Sequence, residues 1–198
     1  MSFDAQHWED MYTQTPAKDL PWNAGGPDPD LVRLVNDGTI PVGQALDIGS
    51  GPGHDAVYLI QKGFHVIGID ISPTAVILAR ENASKAGLFG YFQQGDIRDI
   101  PVEGHFIDFA YDRGCFHTLD APDRPKAVSE IHRVLRKRGL FLLRVFSDKE
   151  PGTDGPSRFT RQELDGIFSP LFKILKGWDG VFEGPRKPKS YSMLMEKK

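Results

Sequence analysis

The sequence predicts an α/β fold, a mostly parallel sheet lying between two layers of helix. Three observations carry this. Apolar strand-like runs alternate with amphipathic helical runs from Val42 to Ser147, and two further strand-like runs then follow one another with no helix between them. Parallel neighbours need a crossover, usually a helix, and the resulting sheet is covered on both faces. The consecutive final pair most simply adds an antiparallel end. Thirdly, Gly49, Gly51 and Gly53 crowd the turn that leaves the first strand, where the main chain must bend tightly or come close to a ligand.

Each element has a local justification. Residues 3–12 place Trp8, Met11 and Tyr12 on one helical face, and Pro21 to Asp30 reads as a loop dense in proline and glycine, free to lie over something. GQALDIG is the first strand, and Gly53 to Gln61 a helix stopped by Gly63. FHVIGID is the second strand; Ser72 and Pro73 supply a cap and a first-turn proline for a helix closed at Gly87. YFQQGD, HFIDFAYD and GLFLLRVF are strands three to five. Before the fifth, Ala127, Val128, Ile131, Val134 and Leu135 recur at helical spacing, and LRKRG, Leu135 to Gly139, reads as the solvated cationic end of that helix. Asp148 to Pro156 is loop, Thr160 and Glu163 form a capping box for a helix to about Phe168, and FKILKGWDGVF and SYSMLMEK complete seven strands. RKPK, Arg186 to Lys189, is an exposed loop between the last two.

Composition bounds the function. With 198 residues, 39% hydrophobic and 26% charged, the chain fits one domain, divided into 1–28 (helix and lid loop), 42–147 (βα units) and 148–198 (helix and strand pair). A net charge of -3 gives no footprint for nucleic acid or an anionic membrane. The single Cys115 excludes an internal disulfide and a cysteine metal cluster, and no segment reads as a secretory leader or membrane span, so the cytoplasm is the expected compartment.

A glycine-rich turn from strand to helix is a nucleotide site, because its amides and the helix N-terminus meet polar ligand groups at close range. The spacing here is G-x-G-x-G: where a dinucleotide fingerprint has its third glycine, this chain has His54. D-I-G-S-G-P-G with Asp70 closing the second strand resembles motif I and the acidic ribose-binding position of class I S-adenosylmethionine-dependent methyltransferases. That resemblance implies a three-layer Rossmann-like sheet of seven strands and S-adenosylmethionine as cofactor. It implies a cofactor set of Asp47, Gly49, Ser50, Gly51, Gly53, Asp70, Ile71, Asp96, Ile97, Asp112, Trp8 and Trp22, with Asp70 on the ribose hydroxyls, Asp96 facing the adenine amino group and Ile97 offering its backbone.

YDRGCFHTLD follows strand four, at the sheet edge where ligands of open α/β folds bind. It lacks the N/D-P-P-Y/F motif of adenine and amide N-methyltransferases and is similar to small-molecule thiopurine, thiol-halide and tellurite-resistance relatives. H-W-E-D-M-Y with P-W-N resembles the segment that caps the cofactor in that group, although Asn23 stands where an acidic residue is common. The expected acceptor is a small soft nucleophile (a thiol, thiopurine, halide or chalcogen oxyanion), the alternative being a small-molecule O-methyltransferase with His117 as base. Neither nucleic acid nor membrane is expected as partner, and a monomer or a homodimer stays open. Arg113 holds an anionic acceptor or pairs with Asp112; His117 is an acceptor-side base or a packed histidine; Cys115 is a small buried hydrophobe or a nucleophile. Trp8, Tyr12 and Trp22 either shape the acceptor pocket or only pack. The other readings are a nicotinamide oxidoreductase, which the short C-terminal part disfavours, and a silent cofactor-binding regulator.

Overall fold

The computed structural model describes residues 4–184 and 186–198; the first three residues of the expected 1–28 segment and Pro185 of the EGPRKPK run lie outside the described residues. The elements run α1 (Ala5–Gln14), α2 (Pro29–Asn36), β1 (Gln44–Ile48), α3 (His54–Gln61), β2 (His65–Asp70), α4 (Pro73–Lys85), β3 (Tyr91–Gln94), β4 (Ile107–Arg113), α5 (Arg124–Val134), β5 (Leu135–Ser147), β6 (Arg158–Phe159), α6 (Arg161–Phe168), β7 (Phe172–Val181) and β8 (Lys189–Lys197). The sheet order is β3-β2-β1-β4-β5-β8-β7, parallel from β3 to β5 and antiparallel for β5–β8 and β8–β7, with β6 a two-residue appendage on β5.

Helices α5 and α6 bury Ile131, Val134, Leu164 and Phe168 against one face of the sheet, while α2, α3 and α4 bury Leu31, Leu34, Leu59 and Val76 against the other. A small third cluster, Tyr12, Leu20 and Ala75, fastens α1 and the following turn to α4. No described helix is long and apolar enough to cross a membrane.

Three local expectations are corrected. Leu135–Gly139 is not a helix end: Leu135 already pairs with Ile107 of β4, the register then shifts, and Leu140 pairs with Phe109, so the cationic residues form a solvated bulge in which Arg138 adopts φ 63°. Its charge suits solvent whichever backbone carries it, so composition could not separate the two readings. Helix α2 occupies residues read as loop and beyond; Asp28 caps it, its carboxylate accepting the amides of Asp30 and Leu31 at 2.8 and 3.1 Å, and Pro29 stands in its first turn. The sheet also gains β6, too short to carry a period. The capping box at Thr160 and Glu163 is present as expected.

Candidate active site

The turn after β1 is stitched to its neighbour: the Ser50 amide donates to the Ile69 carbonyl at 2.9 Å and the Gly53 amide to the Ser50 carbonyl at 2.8 Å. Two glycines there do different things. Gly49 has φ 66° and a Cβ on it would stand 2.7 Å from Cβ of Cys115, so its bareness lets the β4 edge close on the turn. Gly51 has φ 51° and faces the Tyr12 hydroxyl, 2.9 Å from where a Cβ would be, so its bareness admits α1. At the end of β2, Asp70 is buried and accepts the Gly51 amide at 2.9 Å and the Ser72 amide at 3.0 Å, one on each oxygen. Burial pushes its carboxyl up to about 6 against the opposing pull of these amides. A carboxylate oxygen has more than one lone pair, so both can still accept from a ligand.

Over this edge lies α1. Its Glu9 reaches the N-terminus of α4, accepting from the Ser72 hydroxyl (2.6 Å), the Thr74 hydroxyl (2.6 Å) and the Thr74 amide (3.1 Å). Those side-chain bonds hold Glu9 below its ordinary pKa. Trp22 donates its indole N–H to the Tyr12 hydroxyl at 3.1 Å, and the Trp8 and Trp22 rings meet edge to face at 5.4 Å. The three aromatics expected at the lid are therefore together.

Farther along the sheet, alternation sorts the side chains. Asp47 is opposite Tyr111 and Arg113 opposite Arg144, which places these residues on the face covered by α2 and α3. The helix N-termini answer with carboxylates. Arg113 pairs with Asp55 at 3.4 Å, Asp55 also accepts the Asp28 amide at 2.7 Å, and Arg144 forms a buried ion pair with Asp28. Of the two readings of Arg113, the pairing with Asp112 is corrected for a geometric reason: adjacent strand residues face opposite ways. Asp112 instead accepts the amides of Cys115 and Phe116, both at 2.9 Å, and burial raises it to about 7. Burial also raises Asp55 and, more strongly, Asp47, which has Asp55 nearby. Asp47 Oδ2, His54 Nε2, Tyr111 OH and Arg113 Nη1 are buried without a hydrogen-bond partner.

His117 is buried, and its Nδ1 accepts the Phe146 amide at 3.0 Å, which puts the ring proton on Nε2. Burial, with Arg158 adding to it, lowers its pKa to about 3. The ring packs against Phe146 and Phe182, with centroids 4.6 and 5.8 Å away. Of its two readings the geometry favours the packed histidine. Cys115 is partly buried against the core, and desolvation pushes its thiol far up, which disfavours the nucleophile reading. Asp96 lies beyond β3 with its carboxylate held by Arg98 at 2.6 to 3.0 Å, and Arg98 continues to Asp123 at 2.7 Å; Ile97 is buried in the core. Sequence reasoning missed Glu9, Asp28, Asp55 and Arg144. Two carried a signal: Asp28-Pro29 is a cap and first-turn pair, and Arg144 interrupts an otherwise apolar strand, a place arginine occupies only when paired.

Residues 46–143 match the methyltransferase domain family. A 2-heptyl-1-hydroxyquinolin-4(1H)-one methyltransferase of Mycobacteroides abscessus is 30% identical over 78% of this chain and 69% of its own length. The chain belongs to the class I S-adenosylmethionine-dependent methyltransferases. A probable thiol methyltransferase 2 of Arabidopsis thaliana is 29% identical over 84% of this chain and 75% of its own. Among solved structures, the Burkholderia thailandensis 1,6-didemethyltoxoflavin-N1-methyltransferase, with 1,6-didemethyltoxoflavin and S-adenosylhomocysteine bound, superposes with a TM-score of 0.75 at 23% identity, covering 98% of this chain and 87% of that one. It shares the fold.

S-adenosylmethionine is the cofactor of this methyltransferase, and its acceptor is a small molecule. The residues present fit the cofactor. Asp70 offers acceptor capacity for hydroxyls beside the glycine turn, and the unpartnered Asp47 oxygen and Arg113 nitrogen are an acceptor and a donor of the kind that an amino-acid ammonium and carboxylate would satisfy.

Proposed function

We propose that this methyltransferase acts on a small soft nucleophile that arrives as its own anion: a thiolate, thiopurine, halide or chalcogen oxyanion. The observation that carries the reading is His117, the acceptor-side histidine expected as base, whose Nδ1 is spent on the Phe146 amide and whose burial keeps it neutral at any physiological pH. A general base must take a proton and hold it near the working pH, and this one does neither. An acceptor already ionised needs no such help: a thiol of pKa about 8.5 is partly thiolate at neutral pH. The thiol methyltransferase relative agrees with this class.

The cofactor supplies a methyl group on a cationic sulfur. Asp70 is assigned to the ribose hydroxyls; Gly49, Ser50, Gly51 and Gly53 form the turn that backs the cofactor, and Asp47 takes the ammonium. Ile71 and Ile97 border the nucleoside, Asp96 lies on its adenine side with Arg98 competing for the carboxylate, and Asp112 braces the β4 turn through two amides. Trp8, Tyr12 and Trp22 close over the edge and exclude water, which strengthens alignment of nucleophile, methyl and sulfur. Arg113 is assigned to the cofactor carboxylate in place of the acceptor anion, because its guanidinium shares a face with Asp47.

A panel of hydrosulfide, thiophenol, 6-mercaptopurine, iodide, thiocyanate, selenite, tellurite and small phenols, read by S-adenosylhomocysteine release, tests this. Turnover is expected with the sulfur, selenium or halide members and retained within tenfold in His117→Gln, which keeps an acceptor for the Phe146 amide. Turnover confined to phenols and lost in that variant overturns the reading.

A further inference from the structure

Arg144 has no part in the proposed reaction, yet among the described residues it is a buried charge with partners on several elements. It is 3% exposed and Asp28 is 0% exposed. Its guanidinium pairs with Asp28, donates to the Val181 carbonyl, lies 3.3 Å from the Ser190 hydroxyl and 3.4 Å from the Glu183 carboxylate, and stacks over Phe182 with 5.1 Å to the ring centroid. These partners come from two segments with nothing in common in sequence. Asp28 is the post at which the chain leaves the lid and enters α2, using one carboxylate oxygen as the cap and the other for Arg144. Val181 ends β7 and Phe182 to Gly184 begin the turn to β8, and that turn meets the lid again, where a Cβ on Gly184 would stand 3.7 Å from the Pro21 carbonyl. Phe182 is also in contact with His117 and Phe146.

From this arrangement we infer that Arg144 is a positioning residue that joins the N-terminal lid and the β7–β8 turn into one closing unit around the acceptor side of the site. The inference rests on the methyltransferase reading for what is closed, but the coupling itself stands on the contacts. A buried ion pair adds little net stability compared with a well-packed apolar pair, so its value lies in fixing geometry. Here it fixes two segments at once. Among the described residues the lid's apolar anchoring is the small cluster around Tyr12 and Leu20, with the Glu9 contacts beside it, so its order depends on where its C-terminal end is held. Arg144 touches neither the glycine turn nor Asp70, so its loss should act on closure before it acts on cofactor affinity.

The test uses the full chain and hydrogen exchange. Asp28→Asn with Arg144→Gln removes both charges together while asparagine keeps the cap. Exchange in residues 8–25 and in residues 181–188 is expected to rise together, tenfold or more, with residues 66–72 unchanged. Affinity for S-adenosylhomocysteine by calorimetry is expected to stay within threefold while kcat on the member of the acceptor panel that turns over falls at least tenfold. Glu183→Gln, which alters only a half-buried partner and leaves the ion pair intact, is the second variant in case the first does not fold; it should raise exchange in residues 8–15, which Glu183 does not touch, at least twofold. A rise confined to one of the two segments, or to neither, overturns the inference. If no acceptor turns over but both segments still loosen together, the proposed reaction fails and the coupling stands.

Discussion

Asp70 and Asp55 are both buried carboxylates with raised pKa values beside the glycine turn, and they are held in opposite ways. Asp70 is satisfied by amides within its own β–α–β unit, those of Gly51 and Ser72, and keeps room to accept more. Asp55 is bound to the Asp28 amide and the Arg113 guanidinium, groups brought in from 27 residues before it and from β4. One is a local cradle open to a ligand; the other is a long-range clamp. Charge neutralised by a distant chain segment ties segments together, whereas charge held by local amides leaves capacity for a cofactor.

Breaking the clamp should therefore cost stability, and breaking the cradle should cost binding. The largest effect is expected for Asp55→Ala, which leaves Arg113 buried without its partner, a loss of about 3 to 5 kcal/mol for a broken buried pair. Calorimetry should show the melting temperature falling by roughly 6 to 20 °C at about 2 to 4 °C per kcal/mol for a chain of this size. A drop of no more than a degree would mean that the clamp holds nothing. Combining it with Arg113→Met sharpens the point, since removing both charges should recover a large part of the loss.

Asp70→Ala comes next and should leave the chain folded while weakening S-adenosylhomocysteine binding about ten- to a hundredfold, the equivalent of roughly 1.5 to 3 kcal/mol for charged hydrogen bonds. Titration calorimetry showing unchanged affinity would take Asp70 out of the site. A pH series then tests the same residue without mutation. Its folded pKa of about 6 lies above the ordinary 3.8, so the carboxylate that accepts ligand hydroxyls is present above pH 6 and is lost by protonation as pH falls through that value. Cofactor affinity should be level from pH 7 to 8 and fall toward tenfold per unit below 6; a flat profile down to pH 5 contradicts the assignment. The smallest effect belongs to Glu9→Gln, half-exposed on α1, which should raise exchange of residues 5–14 several-fold with the melting temperature within a degree. Full protection retained there would show that the aromatic cluster alone fastens the lid.

The fold and the cradle were legible because they are written at short range. The glycines at 49, 51 and 53, Asp70 and the Ser72-Pro73 start of α4 belong to one unit of about thirty residues, in which strand period, cap and turn chemistry fix the geometry without help from the rest of the chain. The clamp was not legible. Arg113 next to Asp112 in sequence looks like a pair, yet the pleat sends them to opposite faces, and which carboxylate Arg113 then meets depends on where the first turn of α3 lies. His117 could be read as a base or as a packed histidine while its neighbours were unknown; the Phe146 amide, brought by β5, occupies the Nδ1 that a base would use.

The sequence by itself determined the alternation of strands and helices apart from α2 and β6, the glycine turn and the acidic strand end beside it, because each depends on residues a few positions apart, and it marked the last two strands as an antiparallel pair. Only the tertiary structure decided which partners Arg113, His117 and Arg144 meet. Each is wholly or largely buried against chain that arrives from 29 to 116 residues away, and burial is what makes the choice of partner fix protonation state and geometry.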